Sequence, residues 1–125
     1  MRLLLDTHVL LWWLQDDPTL DCGAREVIND SRSWVAVSAA SAWEISIKQA
    51  IGKLETRRDL FATLGENNLI ELPISVSHAL RAGALPRHHG DPFDRILIAQ
   101  AELEGLTIVT RDPRFAPYGV PLLAA

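Results

Sequence analysis

The stretch His88-His89-Gly90-Asp91-Pro92-Phe93-Asp94-Arg95-Ile96-Leu97-Ile98-Ala99-Gln100-Ala101, continued by "ELEGLTIVT" to Thr110, passes from a polar turn through an apolar helix to a β-favouring run. Asp91 followed by Pro92 is a strong N-cap with proline at the first helical position. Asp94 stands where a helix dipole favours negative charge. Gly105 supplies the C-terminal stop. A helix is therefore expected from Asp91 to about Glu104, with a strand in "LTIVT" behind it. The open question is whether both aspartates only cap, or whether one faces a metal.

The same alternation runs through the rest of the chain. Arg2 to Leu5 reads as a short buried strand, Thr7 to Leu14 as a helix ended by "QDDPTLD", and Asp21 to Asp30 as another helix. Trp34 to Val37 is a second strand. A helix is expected from near Ala39 through "SAWEISIKQAIGKL", with Ala42, Ile45 and Ile51 on its buried face and Trp43 and Ile47 broadening it. Gly52 or Gly65 could end helices, and Arg58 to Leu64 reads as one more. "LIELPI" is a strand stopped by Pro73, and "SVSHALRAGAL" a helix stopped by Pro86. "RDPRFAPYG" reads as a loop and "VPLL" as an edge strand. Strands alternating with helices predict an α/β sandwich around a mainly parallel central sheet.

Length and composition bound the function. The 125 residues suit one domain spanning 1–125, and 48% hydrophobic content is enough for a packed core. Cys22 is the single cysteine, which excludes an intramolecular disulfide and a cysteine-built zinc site and suits a reducing compartment. The opening apolar run is broken by Asp6 and His8, and no run has the length of a membrane span, so a cytoplasmic protein with no membrane partner is expected. The net charge of −4 argues against a nucleic-acid coat held by counterion release alone. It is compatible with an enzyme whose acidic groups are gathered around divalent metal.

The carboxylates fall at telling places. Asp6 follows the first strand, and Asp112 comes two residues after "LTIVT". Asp91 and Asp94 open a helix, and Glu44 lies in the first turns of the helix after the second strand. Singly, each has a plain explanation: Asp6 or Thr7 as a cap, Ser41 to Glu44 as an S-x-x-E capping box, Asp112-Pro113 as a turn opener. Together they differ, because a parallel sheet gathers such positions beyond its carboxyl edge. Clustered acids repel one another unless protonated or paired with cations. Mg²⁺ and Mn²⁺ prefer hard oxygen ligands, and two such ions suit in-line displacement at a phosphodiester.

"LLLDTHVLLWW", "VSAASAWEISIKQAIGKL", "LPI" and "HHGDPFDRILIAQAELEGLTIVTRDPRF", in that order, span nearly the whole chain. On these stretches the sequence resembles the PIN-domain family, and within it the VapC-type ribonuclease toxins of bacterial toxin–antitoxin pairs. The resemblance implies a PIN-like α/β/α sandwich and a Mg²⁺- or Mn²⁺-dependent endoribonuclease. Asp6, Glu44, Asp94 and Asp112 match the family's acidic catalytic and metal-binding positions. Asp91 is read as a cap with an accessory role, and Thr7, Ser41 and Thr110 as outer partners. The resemblance also implies an RNA substrate, a cognate antitoxin protein and a homodimer. A DNA-directed nuclease of the same fold, or a non-catalytic module whose acidic cleft holds a partner, remain the alternatives.

Other residues carry weaker signals. His88 and His89 are adjacent and would not face one ion together, so a solvated loop is expected there, and His8 and His78 are not needed by an oxygen ligand set. Trp34 is expected in the core, and Trp12 and Trp13 on different faces of one helix. Lys48, Lys53, Arg57 and Arg58 form the densest basic neighbourhood. Arg95, Arg111 and Arg114 adjoin the acidic motifs and are candidate contacts to RNA phosphate. Cys22 reads as inert packing, and the glycines form no phosphate-binding loop.

Overall fold

The computed structural model describes residues 1–54 and 59–125. Among these, five strands form one sheet: β1 (Arg2–Leu5), β2 (Trp34–Ser38), β3 (Ile70–Leu72), β4 (Thr107–Thr110) and β5 (Leu122–Ala124), ordered β3-β2-β1-β4-β5. Every neighbouring pair is parallel. The helices are α1 (Thr7–Leu14), α2 (Cys22–Asn29), α3 (Ala39–Ala50), α4 (Leu60–Glu66), α5 (Val76–Ala84) and α6 (Pro92–Glu104). No helix among the described residues is long and apolar enough to cross a membrane.

The alternation of side chains along β1 divides the core in two. Leu3 and Leu5 face one layer with Val9, Leu10, Ala24 and Ile28, while Leu4 faces the other with Leu85, Leu97, Ile98 and Phe115. Both faces are covered, which is why β1 is an unbroken apolar run rather than an alternating one. Each fully buried leucine contributes about 2 kcal/mol of transfer free energy.

Helix α6 begins and ends as its sequence demands. Asp91 Oδ1 accepts from the amides of Phe93 (2.8 Å) and Asp94 (3.3 Å). Gly105 closes the helix in the left-handed region at φ 68°, where a residue with a Cβ is strained.

Several expectations are corrected. Helix α3 stops at Ala50, two residues before Gly52 at φ 74°, and does not reach Leu54. Its buried positions are Ala40, Ser41 and Ile45, whereas Trp43, Ile47 and Ile51 are exposed. Both sets have helical spacing, and only the position of the sheet selects between them. Ser38 caps α3 by accepting from the Ala40 amide at 3.0 Å, so Ser41 to Glu44 is not its capping box. Gly65 lies inside α4 rather than ending it. Arg57 and Arg58, including the expected start of a helix at Arg58, lie outside the described residues. "RDPRFAPYG" contains a 3-10 helix, Pro113–Tyr118, anchored by buried Phe115. Trp34 is half-buried beneath the Arg2 guanidinium, 4.7 Å away, and Cys22 is exposed rather than packed.

Candidate functional site

The chain leaves β1 toward β2 on one side, whereas β4 lies on the other. This reversal opens a crevice at the carboxyl ends of β1 and β4, the place where open parallel sheets hold ligands. Asp6 follows β1, and Asp112 follows β4.

Asp6 caps α1, its Oδ1 accepting from the Val9 amide at 2.8 Å. Its Oδ2 accepts from the Thr110 hydroxyl, whose oxygen in turn accepts from the Asp112 amide at 3.1 Å. Burial pushes the Asp6 carboxyl above the usual carboxylate range, against the opposing effect of those hydrogen bonds. Thr7 donates to Ser41 Oγ at 3.0 Å, a buried contact that ties α1 to α3.

Asp94 projects from the first turn of α6. Burial, then the negative charges of Asp91 and Asp6, push its carboxyl up to about 6, although His89 opposes the shift. Asp112 behaves oppositely: Arg114 donates to both its oxygens, at 2.7 Å from Nη2 to Oδ2, and holds the carboxyl below the usual range.

His89 is the residue sequence reasoning missed. It is buried, not part of a solvated loop, and its Nε2 lies 2.8 Å from Asp94 Oδ2 and 3.8 Å from Asp112 Oδ2. Its Nε2, one Asp94 oxygen and one Asp112 oxygen all fall within 4.8 Å of one another. The available signal was its place five residues before Asp94, in the turn leading into α6.

Asp6 and Glu44 stand outside that tight group. Glu44 pairs through Oε2 with Lys48 at 3.3 Å, while its buried Oε1 has no partner among the described residues. Glu44 and Asp91 line one cleft together with Lys48 and Lys53. An orphaned carboxylate oxygen beside crowded aspartates is the donor set a hard divalent cation satisfies.

Two expected phosphate contacts are otherwise engaged. Arg95 donates to the carbonyls of Pro86, His89, Ala82 and Leu85. Arg111 donates to those of Thr19 and Ala125 and lies over Trp12. Backbone carbonyls in fixed positions suit the guanidinium fork, so these arginines fasten loops. Arg114 is exposed but paired with Asp112.

The PIN-domain sequence model matches residues 3–120. The chain belongs to the PIN-domain family. Ribonuclease VapC22 of Mycobacterium tuberculosis is 30% identical over 121 residues, covering 94% of this PIN domain and 92% of that protein. The VapBC2 structure from Rickettsia felis, bound to a promoter DNA fragment, is similar at TM-score 0.73 and 16% identity, over 99% of this chain and 98% of that one. DNA-bound VapBC from Salmonella typhimurium gives TM-score 0.70 at 19% identity, over 99% and 98%. These structures share the PIN fold, the α/β/α sandwich expected from the alternation of strands and helices. In this PIN domain the crevice between β1 and β4 carries Asp6, Asp94 and Asp112, while Glu44 lines the cleft it shares with Asp91.

Proposed function

We propose that this PIN domain is a Mg²⁺- or Mn²⁺-dependent endoribonuclease, acting as the toxin of a toxin–antitoxin pair. The observation that carries the reading is the crowding of Asp6, Asp91, Asp94 and Asp112 in one crevice, with the Asp94 carboxyl raised to about 6. Such crowding disfavours the ionised state unless cations neutralise it. Asp6, Glu44, Asp94 and Asp112 are the residues to hold them.

When bound, a divalent cation supplies the positive charge that makes water a nucleophile at neutral pH and stabilises the departing oxygen. The chain's own part is placement. Asp6 is held by Val9 and Thr110, and Asp94 is set by the first turn of α6. Lys48 and Lys53, in the cleft with Glu44 and Asp91, offer positive charge to a phosphate backbone. Attack by water rather than by the ribose 2′-hydroxyl leaves a 5′-phosphate and a 3′-hydroxyl.

Similarity to Ribonuclease VapC22 supports the substrate, and similarity to VapBC assemblies and to a toxin–antitoxin complex from Klebsiella pneumoniae supports an antitoxin partner. A homodimer belongs to the same proposal.

The test is cleavage of a mixed RNA pool by purified protein with Mg²⁺, with Mn²⁺ and with chelator, beside DNA and the Asp94→Asn variant. Metal-dependent RNA cleavage lost in the variant is the expected result. Cleavage of DNA alone would change the substrate. The Arg114–Asp112 pair favours a second reading, a non-catalytic module whose carboxylates receive a partner's basic side chain. Metal-replete protein that leaves total RNA intact would support it.

A further inference from the structure

Two histidines are buried among the described residues. His78 joins α5 to Glu104 at 2.8 Å, away from the acidic crevice. His89 faces the crevice, and the proposed hydrolysis gives it no role.

The surroundings of His89 define which nitrogen carries its proton. Nδ1 accepts from the Asp91 amide at 3.3 Å. A neutral ring accepting at Nδ1 must carry its hydrogen on Nε2. That hydrogen points to Asp94 Oδ2, 2.8 Å away. For Nε2 to become a metal ligand, its proton would have to move to Nδ1, setting two N–H donors against each other at Asp91. The close group of His89, Asp94 and Asp112 is therefore better described as two carboxylates and a donor than as three ligands.

The ring is held from several sides. The His89 amide donates to Tyr118 Oη at 2.8 Å, and that hydroxyl donates to the Pro86 carbonyl at 2.7 Å. Phe115 meets the imidazole edge-on at 5.8 Å, and Arg95 donates to the His89 carbonyl at 3.1 Å. Phe115 and Tyr118 belong to the 3-10 helix that Asp112 caps, so one segment both supplies a carboxylate and braces the histidine.

We propose that His89 is a positioning residue for Asp94, its Nε2–H holding Oδ2 so that Oδ1 is the oxygen offered to a cation. The inference rests on the reading of Asp94 as a metal ligand. Such outer contacts orient ligating groups, and their loss typically costs on the order of 10–100-fold in metal affinity or activity.

Long-range ¹H–¹⁵N correlation spectra of the histidine side chains, recorded above neutral pH with and without saturating Mg²⁺, test the geometry directly. Expected is one protonated nitrogen on His89, Nε2, retained when Mg²⁺ is added. A proton on Nδ1, or a bare Nε2 in the Mg²⁺ form, overturns the proposal. Kinetics and Mg²⁺ calorimetry on folded variants give a second arm. His89→Ala should lower kcat and Mg²⁺ affinity on the order of 10–100-fold with little change in the KM for RNA. His89→Gln, whose side-chain amide can donate to Asp94, should recover most of that loss; equal loss in both variants overturns the proposal. Failure of wild-type cleavage with the Nε2–H signal intact counts against the ribonuclease, while the His89–Asp94 contact stands.

Discussion

Asp91 and Asp94 are three residues apart on one helix, yet their environments separate them. Asp91 uses Oδ1 to cap two amides, whereas Asp94 is half-buried among like charges and raised to about 6. In the unfolded chain Asp94 returns to the ordinary value of 3.8. Between about pH 4 and about pH 6 the folded state therefore binds more protons than the unfolded state, and this contribution to stability falls as pH rises. Urea titrations of metal-free wild type and Asp94→Asn across that window should show the downward slope in the wild type and a shallower one in the variant. Equal slopes would mean that Asp94 ionises normally. At Asp91, replacement by alanine should cost about 1 kcal/mol through the lost cap, whereas serine, which can still cap, should cost less. Asp91→Ser also removes a charge that raises Asp94, so the Asp94 carboxyl, followed by ¹³C NMR, should titrate lower.

At the scale of elements, the turn between α5 and α6 decides how the site is held. Arg95 reaches back from α6 to four carbonyls of that turn and the end of α5. Lysine carries the charge but cannot fork across several acceptors. Arg95→Lys should lose about 2 kcal/mol of stability, the scale of charge-assisted hydrogen bonds, in chemical denaturation. Were Arg95 instead a phosphate contact, its removal would flatten the salt dependence of RNA binding; no such change is expected. The end of α6 needs no tertiary help, because Gly105 takes the left-handed conformation that ends it.

For the whole molecule, the sheet order matters most. Because β1 lies between β2 and β4, the loops carrying Asp6 and Asp112 open on one crevice, and α6 brings Asp94 to it. Clustering acids there opposes folding of the metal-free chain, so a cation bound only by the native state should stabilise it by mass action. Mg²⁺ at about a hundred times its dissociation constant should add about 2.7 kcal/mol. Thermal unfolding followed across Mg²⁺ concentrations should show a rising midpoint in wild type and a much smaller rise in Asp94→Asn. A midpoint indifferent to Mg²⁺ in both would remove the case for a metal centre.

Local chemistry already writes much of this into the chain. The caps at Asp6 and Asp91, the stop at Gly105, and the apolar runs of β1 and β4 act over a few residues, so spacing and residue type suffice to read them. That carboxylates gather at one sheet edge follows from parallel pairing, once the alternation of strands and helices is recognised. Other features depend on contacts between segments far apart in sequence. Spacing alone cannot tell the stripe of Ala40, Ser41 and Ile45 from that of Trp43, Ile47 and Ile51, since both repeat with the helix and only packing buries one. The guanidinium groups of Arg95 and Arg111 look free in a sequence because their carbonyl partners are contributed by other elements. His89 shows the limit most clearly. It looks like half of a polar pair in a loop until Phe115, Tyr118 and Asp94 enclose it, and hydrogen bonding to those neighbours and to Asp91 gives the imidazole its orientation and its proton.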